Sequence, residues 1–187
     1  MNSMTYYGGK ELAASFRTVR GNTIKIAEEI PEDKYNFSPA PGVRTVAQTL
    51  AHIAFATKFN EQVNRLERRT TMVGFDFPKF MSQMMPEAEK PRTKAELLTL
   101  LRERGEDFAG WMESLTDDFL GESVSMPPGG TPPSRTRFDM LLGAKEHEMH
   151  HRGQLMIVER MLGITPHLTR EMQARMAAMQ QTAAQKS

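Results

Sequence analysis

The sequence predicts an all-α fold, a four-helix bundle followed by a short extra helix at the C-terminus. Apolar residues recur at helical spacing in four long segments. Threonine-led capping patterns, prolines and glycines mark the ends of most of these segments, and no segment alternates apolar and polar residues as strands do. The 187 residues fit one domain spanning 1–187, with the bundle at about 10–163 and the extra helix and tail at 164–187.

The first two helices are predicted on either side of a proline-rich connector. The first runs from about Lys10 to Glu29 and ends before Pro31, which cannot continue a helix. The second follows a capping box of Thr45 and Gln48 and continues to about Arg68. It is apolar around much of its circumference. Its second apolar face carries Thr49, His52, Ala56, Phe59 and Val63.

Residues 70–92 interrupt the helical pattern with one glycine and three prolines, and are rich in Phe and Met. We predict a loop that caps one end of the core. A short helix or flap that acts as a substrate lid is the alternative. The third helix is predicted at about Lys94 to Ser114, after a capping box of Thr93 and Glu96.

The fourth helix begins after Thr136, with Asp139 three residues later, and runs to Leu162. Gly163 follows the predicted end of this helix, a position where glycine is common. Thr165 and Pro166 start the extra helix, whose apolar face is thin. Residues 126–134 contain four prolines and two glycines, and are predicted to be irregular.

Composition excludes several classes of function. With 24 basic and 23 acidic residues the net charge is +1, which argues against a nucleic-acid partner. The absence of cysteine excludes disulfides, thiolate metal ligands and a cysteine nucleophile, and fits a cytoplasmic protein. No apolar run reaches the roughly 18 residues of a membrane span, and the N-terminal residues carry too many charges for a signal peptide.

Histidines in two predicted helices indicate a metal site. His147 and His151 are four residues apart, so their rings lie one turn apart on a face that also carries apolar residues. His52 lies on the inner surface of the second helix. Three nitrogen ligands leave a coordination position open, which is typical of catalytic zinc. Buried histidines satisfied by hydrogen bonds are the alternative. His150 lies about 60° to one side at helical geometry, so we expect it to support the site or face solvent, and His167 to be a surface residue.

The string His147-Glu148-Met149-His150-His151 also matches the zinc-protease pattern, in which the glutamate acts as general base. Such a protease needs a third ligand and a strand that aligns the substrate. No strand is evident in the sequence, so this interpretation is not favoured.

Two strings carry a family resemblance: Leu50-Ala51-His52-Ile53 after the capped helix start, and the run from Glu146 to Gln154, with His-His-Arg-Gly-Gln as its most specific part. With the connector from Asn36 to Thr45, they resemble the DinB/YfiT-like family of metalloenzymes. The resemblance implies a four-helix bundle with long crossover connections and frequent homodimers. It implies that His52, His147 and His151 bind one divalent ion, nickel or zinc.

Some members of this family resemble thiol-dependent transferases or isomerases that use bacillithiol, mycothiol or glutathione. Within it, Gly153 would let a neighbouring helix approach closely. Gln154 would point inward and donate to a ligand or substrate, and His150 would support the ligands.

The sequence therefore predicts a cytoplasmic metalloenzyme that activates a small thiol or water against a small electrophile, as a thiol transferase or hydrolase-like enzyme. No catalytic residue is assigned. The alternative is a non-catalytic metal- or ligand-binding bundle with a stress-related or structural role.

Overall fold

The computed structural model describes residues 7–184. Within them lie seven α-helices: α1 Gly9–Glu29, α2 Val46–Asn60, α3 Phe77–Glu89, α4 Lys94–Glu113, α5 Asp117–Gly121, α6 Arg137–Met161 and α7 His167–Ala184. A 3-10 turn, Glu32–Lys34, follows α1, and a π-helical turn, Glu61–Leu66, extends α2. Strands β1 Ser123–Ser125 and β2 Ser134–Thr136 form an antiparallel hairpin.

Four long helices form the bundle, as the sequence predicts. α1 and α2 each pack against both α4 and α6. α1 therefore lies diagonally opposite α2, and α4 diagonally opposite α6, so the chain between α1 and α2 must cross the bundle end. No helix in residues 7–184 combines the length and apolarity needed to cross a membrane.

Two main apolar clusters fill the bundle. One lies between α1, α2, α4 and α6 toward the connector that follows α1; its fully buried members include Ile26, Ile30, Leu50, Ile53 and Leu101. The other lies toward the start of α1 and includes Leu12, Phe16, Phe108, Met112 and Leu141. Burying each such side chain contributes roughly 1.5–3 kcal/mol, so these faces hold the four helices together.

The predicted helix ends are confirmed. Thr45, Thr93 and Thr136 each accept a hydrogen bond from the backbone N–H three residues later. Each bond satisfies a donor that the first helical turn would leave unpaired. Gly163 has a φ of 78°, in the left-handed region that glycine adopts without strain.

A buried ion pair crosses the bundle. Arg20 of α1 and Glu148 of α6 have side chains that are 4% and 3% exposed. The Arg20 Nε and Nη2 atoms donate to both carboxylate oxygens at 2.9–3.1 Å, and Nη1 donates to the Leu101 carbonyl at 2.7 Å. A Cβ at Gly105 would lie 2.8 Å from the Arg20 side chain, so the glycine makes room for it.

Three regions differ from the prediction. Residues 77–89 form α3 instead of a loop: Asp76 caps the helix, and Pro78 lies in its first turn, where a missing N–H costs nothing. The short helix α5 and the β1–β2 hairpin were not predicted, because elements of three to five residues are too short to show periodicity.

The extra helix α7 contacts the bundle through its first turns. His167 is buried, whereas Met172, Met176 and Met179 of its thin apolar face are exposed. Ion pairs from Arg170 to Glu29 and from Lys25 to Glu171 hold it against α1.

Candidate metal centre

Three histidines from two helices converge inside the bundle. His52 lies on α2, and His147 and His151 lie one turn apart on α6. The Nε2 atom of His147 is 3.1 Å from the Nε2 of His52 and 3.2 Å from the Nε2 of His151. One ring nitrogen from each of the three lies within 4.8 Å of those of the other two. The structure thus brings together the three residues that the sequence indicates.

Gln154 orients the ring of His151. The Nδ1 of His151 is 2.8 Å from the Gln154 side-chain oxygen, which can only accept, so Nδ1 carries the proton and donates. The Nε2 of His151 is then left with a free lone pair that faces the other rings. The Gln154 amide nitrogen in turn donates to the Nε2 of His150 at 3.1 Å.

The surroundings favour the neutral imidazoles. Burial lowers the pKa of His52 and of His147 to about 4 each, and Arg44 and the neighbouring rings add to this effect. Burial also lowers the pKa of His151, and the hydrogen bond to Gln154 partly opposes it. At neutral pH all three rings are uncharged, which is the state in which imidazole binds a metal.

The donor set fits a divalent ion. Nitrogens bound to one tetrahedral zinc at 2.0–2.1 Å are separated by roughly 3.3 Å, close to the 3.1 and 3.2 Å found here. Three neutral imidazoles whose ring nitrogens meet at one point cannot all form hydrogen bonds with one another there, since each neutral ring has one N–H and one lone pair. The Nδ1 of His147 is also buried, with no partner within residues 7–184. Together these observations suggest a site for a divalent metal.

A large apolar cavity opens at one side of the cluster. It has a volume of about 740 Å³, and His52 and His147 form part of its wall. The rest of the wall comes mainly from α2, α3 and α6, with aromatic and methionine side chains predominating. These include Phe55, Phe59, Phe80, Met81, Met84 and Met140.

A second, polar cavity lies beside the cluster. It has a volume of about 400 Å³ and is lined by Gly42, Val43, Arg44, Thr49 and Gln154. The charge of Arg44 reaches all three histidines, since it contributes to the lowered pKa of each. The histidine cluster therefore adjoins an apolar cavity, and a basic cavity is linked to it through Gln154.

Several expectations for individual residues are wrong. His167 is 1% exposed, with its Nε2 3.2 Å from the Asn22 side-chain oxygen, because α7 folds back on α1. A Cβ at Gly153 would meet nothing within 4 Å, so none of the described helices approaches there. Gln154 is exposed instead of pointing inward. Its side-chain oxygen accepts a hydrogen bond from the His151 ring, and its amide nitrogen donates one to the His150 ring.

Glu148 is not placed as a general base. Its carboxylate is buried and held by Arg20, in contrast to the His147 ring beside it in sequence, which faces the other histidines. Adjacent helical residues point about 100° apart. Here Glu148 belongs to the buried ion pair and His147 to the histidine cluster. The zinc-protease interpretation fails at this residue.

The residues of the apolar cavity were only partly visible in the sequence. Phe59 lies on the same predicted face of α2 as His52, and Gly143 is four residues before His147, so helical spacing relates both to the site. The contribution of α3 could not be found in this way. Its position over the cavity depends on how the segment after α2 folds back.

Known proteins share this fold. YjoA of Bacillus subtilis (strain 168) is 24% identical over 155 residues, covering 83% of this chain and 91% of YjoA. The crystal structure of YjoA superposes with a TM-score of 0.61 at 22% identity, covering 83% of this chain and 93% of that one.

YfiT of Bacillus subtilis superposes with a TM-score of 0.65 at 17% identity, covering 88% of this chain and 93% of YfiT. It is described as a probable metal-dependent hydrolase with an unusual four-helix bundle topology. A sequence model of the DinB superfamily matches residues 15–155. The chain therefore belongs to the DinB superfamily.

Proposed function

We propose that the protein is a metal-dependent enzyme in which His52, His147 and His151 hold one divalent ion, nickel or zinc, and a small thiol or water is activated there against an electrophile. The observation that carries the proposal is the convergence of three Nε2 atoms at the end of a large cavity. A purely structural site would be closed to ligands, whereas this one adjoins open space.

The residues of the chain prepare the site in two ways. Burial keeps the imidazoles neutral at pH 7, so their lone pairs are available without loss of a proton. Gln154 fixes the tautomer and the rotation of the His151 ring. A bound divalent ion would supply Lewis acidity, which lowers the pKa of a thiol or of water toward neutrality.

Arg44 supports a thiol as the activated molecule. Small biological thiols such as glutathione carry carboxylates, and a guanidinium in a polar cavity beside the histidines is suited to bind one. Hydrolysis, with water as the nucleophile, would follow the description of YfiT. The two reactions share the ion and differ in whether Arg44 contributes.

The first test is elemental analysis of protein purified without a histidine tag, since a tag would itself bind nickel. We expect one equivalent of a divalent metal per chain, or uptake of one on addition. Protein that contains no metal and takes none up at neutral pH would refute the proposal.

A second test separates the enzyme from the non-catalytic bundle. Thermal melts with and without chelator are compared with turnover in screens for thiol transfer and for hydrolysis. A small loss of stability on chelation, together with metal-dependent turnover, supports the enzyme. A large loss of stability with no turnover in any screen favours a structural metal site.

A further inference from the structure

The apolar cavity has the size of a small-molecule binding site. Its volume of about 740 Å³ lies within the roughly 300–1,000 Å³ of pockets that bury drug-sized ligands. His52 and His147 belong to its wall, so a molecule bound there would lie against the histidine cluster.

The wall has almost no charge. Among the described residues that line the cavity, Arg135 of β2 is the only charged one, and its side chain is 45% exposed and pairs with Asp139. No carboxylate or lysine from residues 7–184 lines the cavity. Burying a charged or strongly polar group against such a wall would cost free energy, because the wall offers few hydrogen bonds or ion pairs to offset the lost hydration. The body of the ligand must therefore be apolar.

α3 covers this cavity. None of its residues is buried in the core, yet Phe77, Phe80, Met81, Met84 and Met85 all line the cavity. The ring of Phe59 on α2 lies 5.7–6.1 Å from the rings of Phe75, Phe77 and Phe80, close enough for aromatic contact. Methionine and phenylalanine give this wall a deformable apolar surface.

Gly143 keeps the cavity open next to the histidines. It lies on α6, four residues before His147 and so on the same face. A Cβ at this position would meet nothing within 4 Å, so packing does not require the glycine. Glycine inside a helix costs about 1 kcal/mol relative to alanine. The space that it leaves belongs to the cavity.

From these observations we propose that the electrophilic substrate has a bulky, uncharged apolar body, aliphatic or aromatic, that binds between α2, α3 and α6 with its reactive group beside His52 and His147. This inference rests on the proposed function for the reaction itself, but the binding of an apolar body can be tested separately. The cavity would exclude sugars, amino acids and other small polar substrates.

The test is titration with N-phenyl-1-naphthylamine, a neutral apolar probe whose fluorescence rises on binding. We expect one saturable site in wild-type protein. Gly143→Leu should fold at least as well as wild type, because leucine favours the helix and meets open space, and should weaken binding by about tenfold or more. Gly110→Leu is the matched control: this helical glycine also has open space at its Cβ, lies outside the cavity, and should leave binding unchanged.

A second pair of variants tests the wall contributed by α3. Met84→Asp places a carboxylate in the cavity, and Gln83→Asp places one on the exposed side of the same helix. Only Met84→Asp should weaken binding. Failure of wild-type protein to bind the probe would overturn the proposal. So would Gly143→Leu and Met84→Asp variants that both bind the probe as tightly as wild type.

Displacement of the probe by linear primary alcohols adds a quantitative check. Each added methylene should raise affinity by about fourfold until the cavity is full. Affinity that does not change with chain length would contradict an apolar site.

Two variants distinguish failure of this inference from failure of the proposed function. His151 does not line the apolar cavity, so His151→Ala should lose metal and retain the probe. Gly143→Leu should retain metal and lose the probe. If wild-type protein takes up no metal but still binds the probe at this site, the proposed function fails and the apolar site stands.

Discussion

Replacing Glu148 tests whether this glutamate has the structural role that its contacts indicate. Glu148→Met removes the carboxylate and leaves the buried Arg20 guanidinium with one remaining hydrogen bond, to the Leu101 carbonyl. The zinc-protease interpretation would instead make Glu148 essential for catalysis and dispensable for folding. The two roles predict opposite results.

The expected loss follows from burial. Both side chains are less than 5% exposed, and removing one partner of such a pair costs roughly 3–5 kcal/mol because the other charge stays buried and unpaired. At about 2–4 °C per kcal/mol for a chain of this size, the melting temperature should fall by roughly 6–20 °C. The double variant Arg20→Met with Glu148→Met should recover most of this loss, because two apolar side chains of similar volume can replace a buried pair.

The assay is thermal and urea unfolding of wild type, both single variants and the double variant, with metal content measured in each. We expect the single variants to unfold at lower temperature and lower urea concentration than wild type. They should still bind metal while folded, since Glu148 pairs with Arg20 and does not face the histidines. A Glu148→Met protein as stable as wild type would refute the structural role. A stable variant that loses all turnover would restore the general-base interpretation.

Three further predictions concern the metal site and a buried carboxyl. His151→Ala should abolish tight metal binding, whereas His150→Ala should weaken it only modestly because His150 acts through Gln154; equal metal affinity in His151→Ala and wild type, measured by competition with a chelator, would refute the assignment. Burial raises the pKa of Glu159 from 4.5 to about 7, so the folded protein keeps this carboxyl protonated where the unfolded chain ionises it, and stability falls as pH rises from about 4.5 to 7. Glu159→Gln should therefore add about 1–3 kcal/mol to the free energy of unfolding at pH 8 and nothing at pH 4; denaturant unfolding at both values checks this, and an equal effect at both would contradict it. Arg44→Gln should raise the KM for an anionic thiol by about tenfold with little change for a neutral thiol; equal changes for both thiols would remove Arg44 from the proposed site.

Much of the architecture follows from local physical chemistry that the sequence displays directly. Helix ends depend on capping side chains, prolines and glycines within a few residues, so Thr45, Thr93, Thr136 and Gly163 locate them. The spacing of His147 and His151 likewise determines that both rings share one face of a helix. These features need no knowledge of distant contacts.

Other features depend on which elements meet. The sequence could not show that Glu148 pairs with Arg20, 128 positions earlier. It therefore could not distinguish a structural role for this glutamate from a catalytic one. His167 is buried only because α7 folds back on α1. Helical periodicity reports which side of a helix is apolar, but not what covers it.

The amino-acid sequence alone thus determined the bundle helices, their ends and the three histidines, because each of these is encoded within one or two helical turns. The tertiary structure decided that the histidine nitrogens meet, that Gln154 orients one of them, and that α3 closes an apolar cavity beside them. These depend on contacts between residues far apart in the chain, which form only when the helices pack.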